Sequence, residues 1–140
     1  MSEPTPSVSK LDQHMAVVGQ VMARFVSEGL LGQPIDTFAP EAFLGVPADP
    51  RTFEAVITWM LDEGIIRGKE RVQTIDGRLR IIAVQLTSKG LAIVKHPLPG
   101  GDTIEKRVQS QTGGNQFWSS IGDLVGGIAG GFTKSIAGGG

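Results

Sequence analysis

Two stretches decide how this chain is read: Trp59–Gly68, WMLDEGIIRG, and Val84–Val94, VQLTSKGLAIV. In the first, an apolar helical stripe runs into Gly64, and Ile65 and Ile66 continue as extended chain. In the second, a strand ends at Leu86, and Thr87 is placed to cap a helix over Ser88–Lys95, stopped by Pro97. Between them the apolar period drops from 3.6 to 2. Arg71 to Ile75 and Arg78 to Leu86 read as strands joined by Asp76-Gly77, a pair that favours a tight two-residue hairpin because Gly tolerates positive φ. The second strand places Arg78, Arg80, Ile82, Val84 and Leu86 on one side and Leu79, Ile81 and Ala83 on the other. Apolar residues on both sides near its end imply burial there.

Upstream, Asp49 is a natural N-cap and Pro50 a natural first residue for a helix reaching Glu63. Phe53, Val56, Ile57, Met60 and Leu61 form its inner stripe. Arg51, Glu54, Ala55, Thr58, Trp59 and Asp62 form its outer face. The proline-dense segment before it holds only a short helix, Pro40 to Leu44. The first helix runs from Ser9 to Glu28, with Leu11, Met15, Val18, Met22 and Phe25 at steps of four and three. Downstream, His96–Gly101 reads as linker, and Asp102 to Gln111 as a short helix with Ile104 and Val108 to bury.

The order helix, short helix, helix, β-hairpin, helix resembles a winged-helix domain over about residues 9–95, which sets the domain at residues 9–96. The "WMLDEGIIRG" segment is similar to the end of the third helix leading into the wing. "VQLTSKGLAIV" is similar to the wing's return strand passing through Leu-Thr-x-x-Gly into a closing helix. The resemblance implies an α+β fold with three helices, a β-hairpin wing and a closing helix. It is shared by bacterial transcription regulators and by protein-interaction modules, so it implies a fold more than a function.

Composition narrows the classes. The chain of 140 residues carries a net charge of -1 and no cysteine. Thiolate metal sites, disulfides and thiol nucleophiles are excluded. The two histidines, His14 and His96, sit on a helix shoulder and before a proline. No serine has a nucleophile-elbow setting, no cluster has metal-ligand spacing, and Gly64–Lys69 has the wrong spacing for a phosphate loop. The chain reads as non-enzymatic, without cofactor or metal. MSEPTPSVSK lacks the apolar core of a signal peptide and reads as a disordered lead over residues 1–8, consistent with a cytoplasmic protein.

In winged helices that read DNA, the third helix enters the major groove, where basic and amide side chains are needed. Here that face offers Arg51 against Glu54 and Asp62, with no Lys, Asn or Gln, which disfavours nucleic acid as the partner. The wing differs. Arg67, Lys69, Arg71, Arg78 and Arg80 stand against Glu70 and Asp76, a basic patch suited to phosphates or an acidic partner. It is equally a solvated edge whose charges prevent strand-to-strand aggregation. Trp59, on the border of the stripe, is either part of the core or an interface anchor.

The C-terminal segment is the other unusual feature: ten of the chain's 20 glycines fall within the last 28 residues. As a helix over 117–137, advancing 100° per residue, it gathers Phe117, Trp118, Ile121, Leu124, Val125, Ile128, Phe132 and Ile136 in an arc of about 120°. Gly122, Gly126 and Gly130 lie opposite. Interior glycines cost about 0.8–1 kcal/mol each relative to Ala, and burial of a large apolar side chain returns about 1.5–3 kcal/mol. The helix therefore needs a surface: its own domain, a membrane, or another chain. Residues 97–116 read as linker and 138–140 as a flexible end. The expected protein is an interaction module whose glycine-zipper helix mediates membrane association or self-assembly. The alternative is a small DNA-binding regulator that uses the basic wing and dimerises through the tail.

Overall fold

The computed structural model describes residues 9–110 and 114–138, with side chains through residue 131. The elements in order are α1 (Lys10–Glu28), β1 (Gln33–Asp36), α2 (Pro40–Leu44), α3 (Pro50–Asp62), β2 (Ile66–Arg67), β3 (Glu70–Gln73), β4 (Leu79–Leu86), α4 (Ser88–Lys95), α5 (Ile104–Gln109) and α6 (Asn115–Gly138). The chain is thus α+β, with six helices around a small antiparallel sheet among the described residues. The lead expected for residues 1–8 and the final residues 139–140 lie outside the described residues.

Side-chain caps start the helices where the sequence places them. Ser9 Oγ accepts from Asp12 N–H at 3.0 Å, Asp49 Oδ2 from Thr52 N–H at 3.0 Å, and Thr87 Oγ1 from Gly90 N–H at 3.0 Å. Thr103 adds a fourth, accepting from Lys106 N–H at 3.2 Å. Each satisfies one donor that a helix N-terminus otherwise leaves open.

β4 is the central strand. It pairs with β1 on one side and with β2 and β3 on the other, always antiparallel. β1 lies in the proline-dense segment from which only a short helix was expected. Pro34 hides it from propensity, and an edge strand tolerates the missing donor. Thr37, the one buried polar residue among those described, fastens its end: Thr37 N–H donates to the Leu79 carbonyl at 3.0 Å, and Leu79 N–H donates to Thr37 Oγ1 at 3.1 Å.

Two expectations for the hairpin need correction. The connection is not a two-residue turn: Gly77 N–H bonds the Thr74 carbonyl at 3.0 Å, and Thr74 N–H bonds the Arg78 carbonyl at 2.9 Å. Thr74 Oγ1 binds Asp76 and accepts from Arg78 N–H, so side chains build a longer turn that closes on Gly77 at φ 85°. Nor does one face of β4 run unbroken. The register against β1 shifts between Gln33 and Ile35, and Ala83 takes φ 57°. This bulge reverses the alternation, burying Leu79 and Ile81, then Val84 and Leu86, and turning Ile82 outward.

The core joins every helix. Phe25, Phe43 and Phe53 stack with centroids 5.3 and 6.2 Å apart, among Met22, Ile57, Met60, Ile65 and Ile93. Leu11, expected on the inner stripe of α1, is instead exposed, at the rim of a hollow between α1 and α3. α5 contributes Ile104 and Val108, and α6 contributes Ile121, Val125 and Ala129. The core therefore runs on beyond residue 96. The two opening stretches dock on each other: Thr87 Oγ1 donates to the Gly64 and Ile65 carbonyls, and Lys89 Nζ donates to the Glu63 carbonyl at 2.8 Å. A Cβ on Gly90 would lie 2.3 Å from the Ile65 carbonyl oxygen, so only glycine lets α4 approach.

Candidate interaction surface

The hairpin carries the cationic residues singled out in the sequence, and the fold gives them different partners. Arg78 Nε lies 3.1 Å from Asp36 Oδ1 and Arg80 Nε lies 3.8 Å from Asp36 Oδ2. Arg78 also sits over the Phe38 ring, 4.9 Å from its centroid. In the amide orientation that satisfies both ends of Gln85, its oxygen accepts from Arg67 at 2.9 and 3.2 Å and its nitrogen donates to the Leu30 carbonyl. Lys69 and Arg71 make no ion pair with a carboxylate among the described residues. The five cations therefore differ in their partners: Arg78 and Arg80 share Asp36, Arg67 is held by an amide, and Arg71 lines a hollow with Arg67 and Asp62.

Asp36 and Phe38 escaped the sequence reading because β1 did. Once Gln33–Asp36 is a strand, Ile35 turns inward and Asp36 outward, and the turn that follows buries Thr37 and exposes Phe38. At the hairpin tip, the Thr74 hydroxyl holds the Asp76 carboxyl below its ordinary range, helped by the Arg78 backbone N–H. The Thr52 backbone N–H does the same for Asp49 at the start of α3.

Apolar side chains accompany the charges. β3 is exposed at all its positions, Ile75 at the tip is fully exposed, and Val72 and Ile82 are 51% and 53% exposed. Val72, Arg80 and Ile82 border a hollow of about 440 Å³ that runs over Pro34 to Ala42 and Phe43 of α2. The outer face of α3 exposes Arg51, Ala55 and Asp62, with Glu54, Thr58 and Trp59 half-buried. Trp59 lines a second hollow of about 180 Å³ with Leu11, His14 and Met15. No group of three or more His, Cys, Asp or Glu residues assembles for a metal among the described residues.

The tail finds a surface inside the chain. Ile121, Gly122 and Val125 are buried, Leu124, Gly126 and Ile128 are half-buried, and Gly130 is exposed. Phe117 and Trp118, both half-buried, meet edge to face at 4.9 Å. The backbones of α1 and α6 touch: a Cβ on Gly122 would lie 1.9 Å from the Met15 carbonyl oxygen, and one on Gly19 would lie 2.4 Å from that of Trp118. Gly122 thus belongs to the packed side, not to the open glycine face opposite the bulky arc. A Cβ on Gly126, Gly127, Gly130 or Gly131 would meet nothing within 4 Å. The side chains of Phe132 and Ile136 lie outside the described residues. Among the described residues no helix is long and apolar enough to cross a membrane.

Compared with protein-family models, curated proteins and solved structures, the chain finds no significant match.

Proposed function

We propose that the protein is a non-enzymatic interaction module of the winged-helix type, with its hairpin as the recognition surface. The order α1, α2, α3, hairpin and α4 supports the winged-helix reading. The observation that carries the function is the hairpin itself, exposed along β3, with Lys69 and Arg71 free of carboxylate partners among the described residues. α6 serves on its inner side as a brace on α1. Its outward glycine face carries association with a membrane surface or a second copy.

Flotation with anionic vesicles, paired with light-scattering mass in solution, tests the outward face in the full-length chain. Gly126→Glu with Gly130→Glu keeps the α1 contact and is expected to abolish flotation or reduce the oligomer. Native protein that neither floats nor associates overturns this part of the reading.

The second reading is a DNA-binding regulator. Lys69 and Arg71 favour it, while Glu54 and Asp62 on the outer side of α3 oppose phosphate approach. A low-salt duplex gel shift weakened by Lys69→Ala and Arg71→Ala supports it; no shift at low salt removes it.

A further inference from the structure

We infer that the open edge of β3 accepts an extended acidic segment of a partner protein as an added strand. The inference deepens the hairpin reading and rests on it. β4 occupies one edge of β3, and no strand lies on the other among the described residues. The bond from Thr74 N–H to the Arg78 carbonyl, 2.9 Å, sets the alternation of the ladder. Glu70 and Val72 turn their backbone groups toward β4, and Arg71 and Gln73 turn theirs outward. Two donors and two acceptors therefore stand on the rim in extended geometry, the arrangement that strand addition uses.

The side chains specify the guest. Arg71 and Gln73 project from one side of the ribbon, Glu70 and Val72 from the other. Arg71 has no carboxylate in ion-pairing range among the described residues, and Lys69 precedes it. A guest carboxylate opposite Arg71 supplies the missing counter-charge. On the other side Val72 borders the hollow shared with Ile82 and Phe43, so an apolar guest side chain beside Val72 extends that surface. The fitting segment alternates acidic and apolar residues.

A second copy of β3 fits less well. Two edges must match outward-facing residues with outward-facing residues. Centring the pair on Arg71 opposes two arginines. Centring it on Glu70 opposes two glutamates and sets Lys69 against the second Arg71. Centring on Val72 or Gln73 avoids like charges within the strand but sets Gln73 or Ile75, not a carboxylate, opposite Arg71.

The test is fluorescence anisotropy of the full-length protein with labelled Gly-Glu-Val-Glu-Val-Glu-Gly and its lysine counterpart. The acidic peptide is expected to bind and the lysine peptide not to, with backbone amide shifts at Arg71 and Gln73. Gln73→Pro removes an outward N–H and no bond to β4, and should weaken binding about tenfold, one to two backbone hydrogen bonds. Arg71→Glu should exchange the preference to the lysine peptide, which keeps the proposal testable if Gln73→Pro does not fold. Equal binding of both peptides, no binding, or unchanged preference in Arg71→Glu overturns the proposal. A concentration-dependent dimer that Gln73→Pro dissolves assigns the edge to a second copy and overturns it as well. None of these outcomes alters the flotation result for α6, so the two readings fail separately.

Discussion

Thr37 shows how much one residue can carry. It is fully buried, and its hydroxyl accepts from Leu79 N–H at 3.1 Å and donates to the Leu79 carbonyl at 3.2 Å. Thr37→Val keeps the shape and strands that N–H in the interior. The expected cost is about 1–3 kcal/mol, read as a lower denaturation midpoint with unchanged slope; Thr37→Ser should recover most of it. Asp76 and Asp49 give the residue scale a pH signature. Both carboxyls are depressed in the folded state by hydrogen bonds, from the Thr74 hydroxyl and the Thr52 N–H respectively. A depressed folded value stabilises above the unfolded value of about 4, and the contribution disappears as pH falls through the folded value. Acid melts should therefore show part of their loss below pH of about 4, reduced in Asp49→Asn, which keeps the cap as a neutral acceptor. An acid limb identical in Asp49→Asn and native protein removes the assignment.

At the scale of elements, caps and periods made the helices legible and backbone irregularity hid the rest. Ser9, Asp49 and Thr87 announce α1, α3 and α4 because capping is local chemistry between neighbours in sequence. β1 is invisible because its pairing partner lies more than forty residues away, at Arg80 to Val84. The reversal at Ala83 is equally hidden: an alanine at φ 57° has no sequence signature, and only the register against β1 requires it. The site inherited this limit. The cations were readable as residue types, but Asp36, which engages Arg78 and Arg80, sits on the strand that was missed. Glycines divide the same way, since their count says nothing of what each faces. Gly122 and Gly19 lie where α1 and α6 touch, while Gly126, Gly127 and Gly130 face open space. Gly122→Ala should destabilise the protein, since its Cβ would strike the Met15 carbonyl. Gly126→Ala, Gly127→Ala and Gly130→Ala should each stabilise it by up to about 1 kcal/mol, the helix propensity difference. Thermal melts of these single variants decide it, and a uniform sign across them would refute the crossing.

At the scale of the whole molecule, the question is whether α6 folds with the rest or rides on it. Residues 97–116 read as a linker holding one short helix, and that helix, α5, buries Ile104 and Val108 in the same core as α1. α6 then covers α1, seating Ile121, Val125 and Ala129 among residues of that core. Hydrophobic burial is cooperative when the surfaces are shared, so α6 and α1 should unfold together. Native-state hydrogen exchange should place the amides from Ile121 to Ala129 at the same opening free energy as Val18 to Phe25 in α1. Ile121→Ala removes a side chain that is 1% exposed, and should lower global stability by about 2–5 kcal/mol. Ile75→Ala, at the fully exposed hairpin tip, provides the control and should leave stability unchanged. If Ile121→Ala leaves the melting of α1 untouched while α6 exchanges freely, the helix is an independent appendage. Its apolar arc would then be free for a membrane or a second chain, rather than spent on the domain that precedes it.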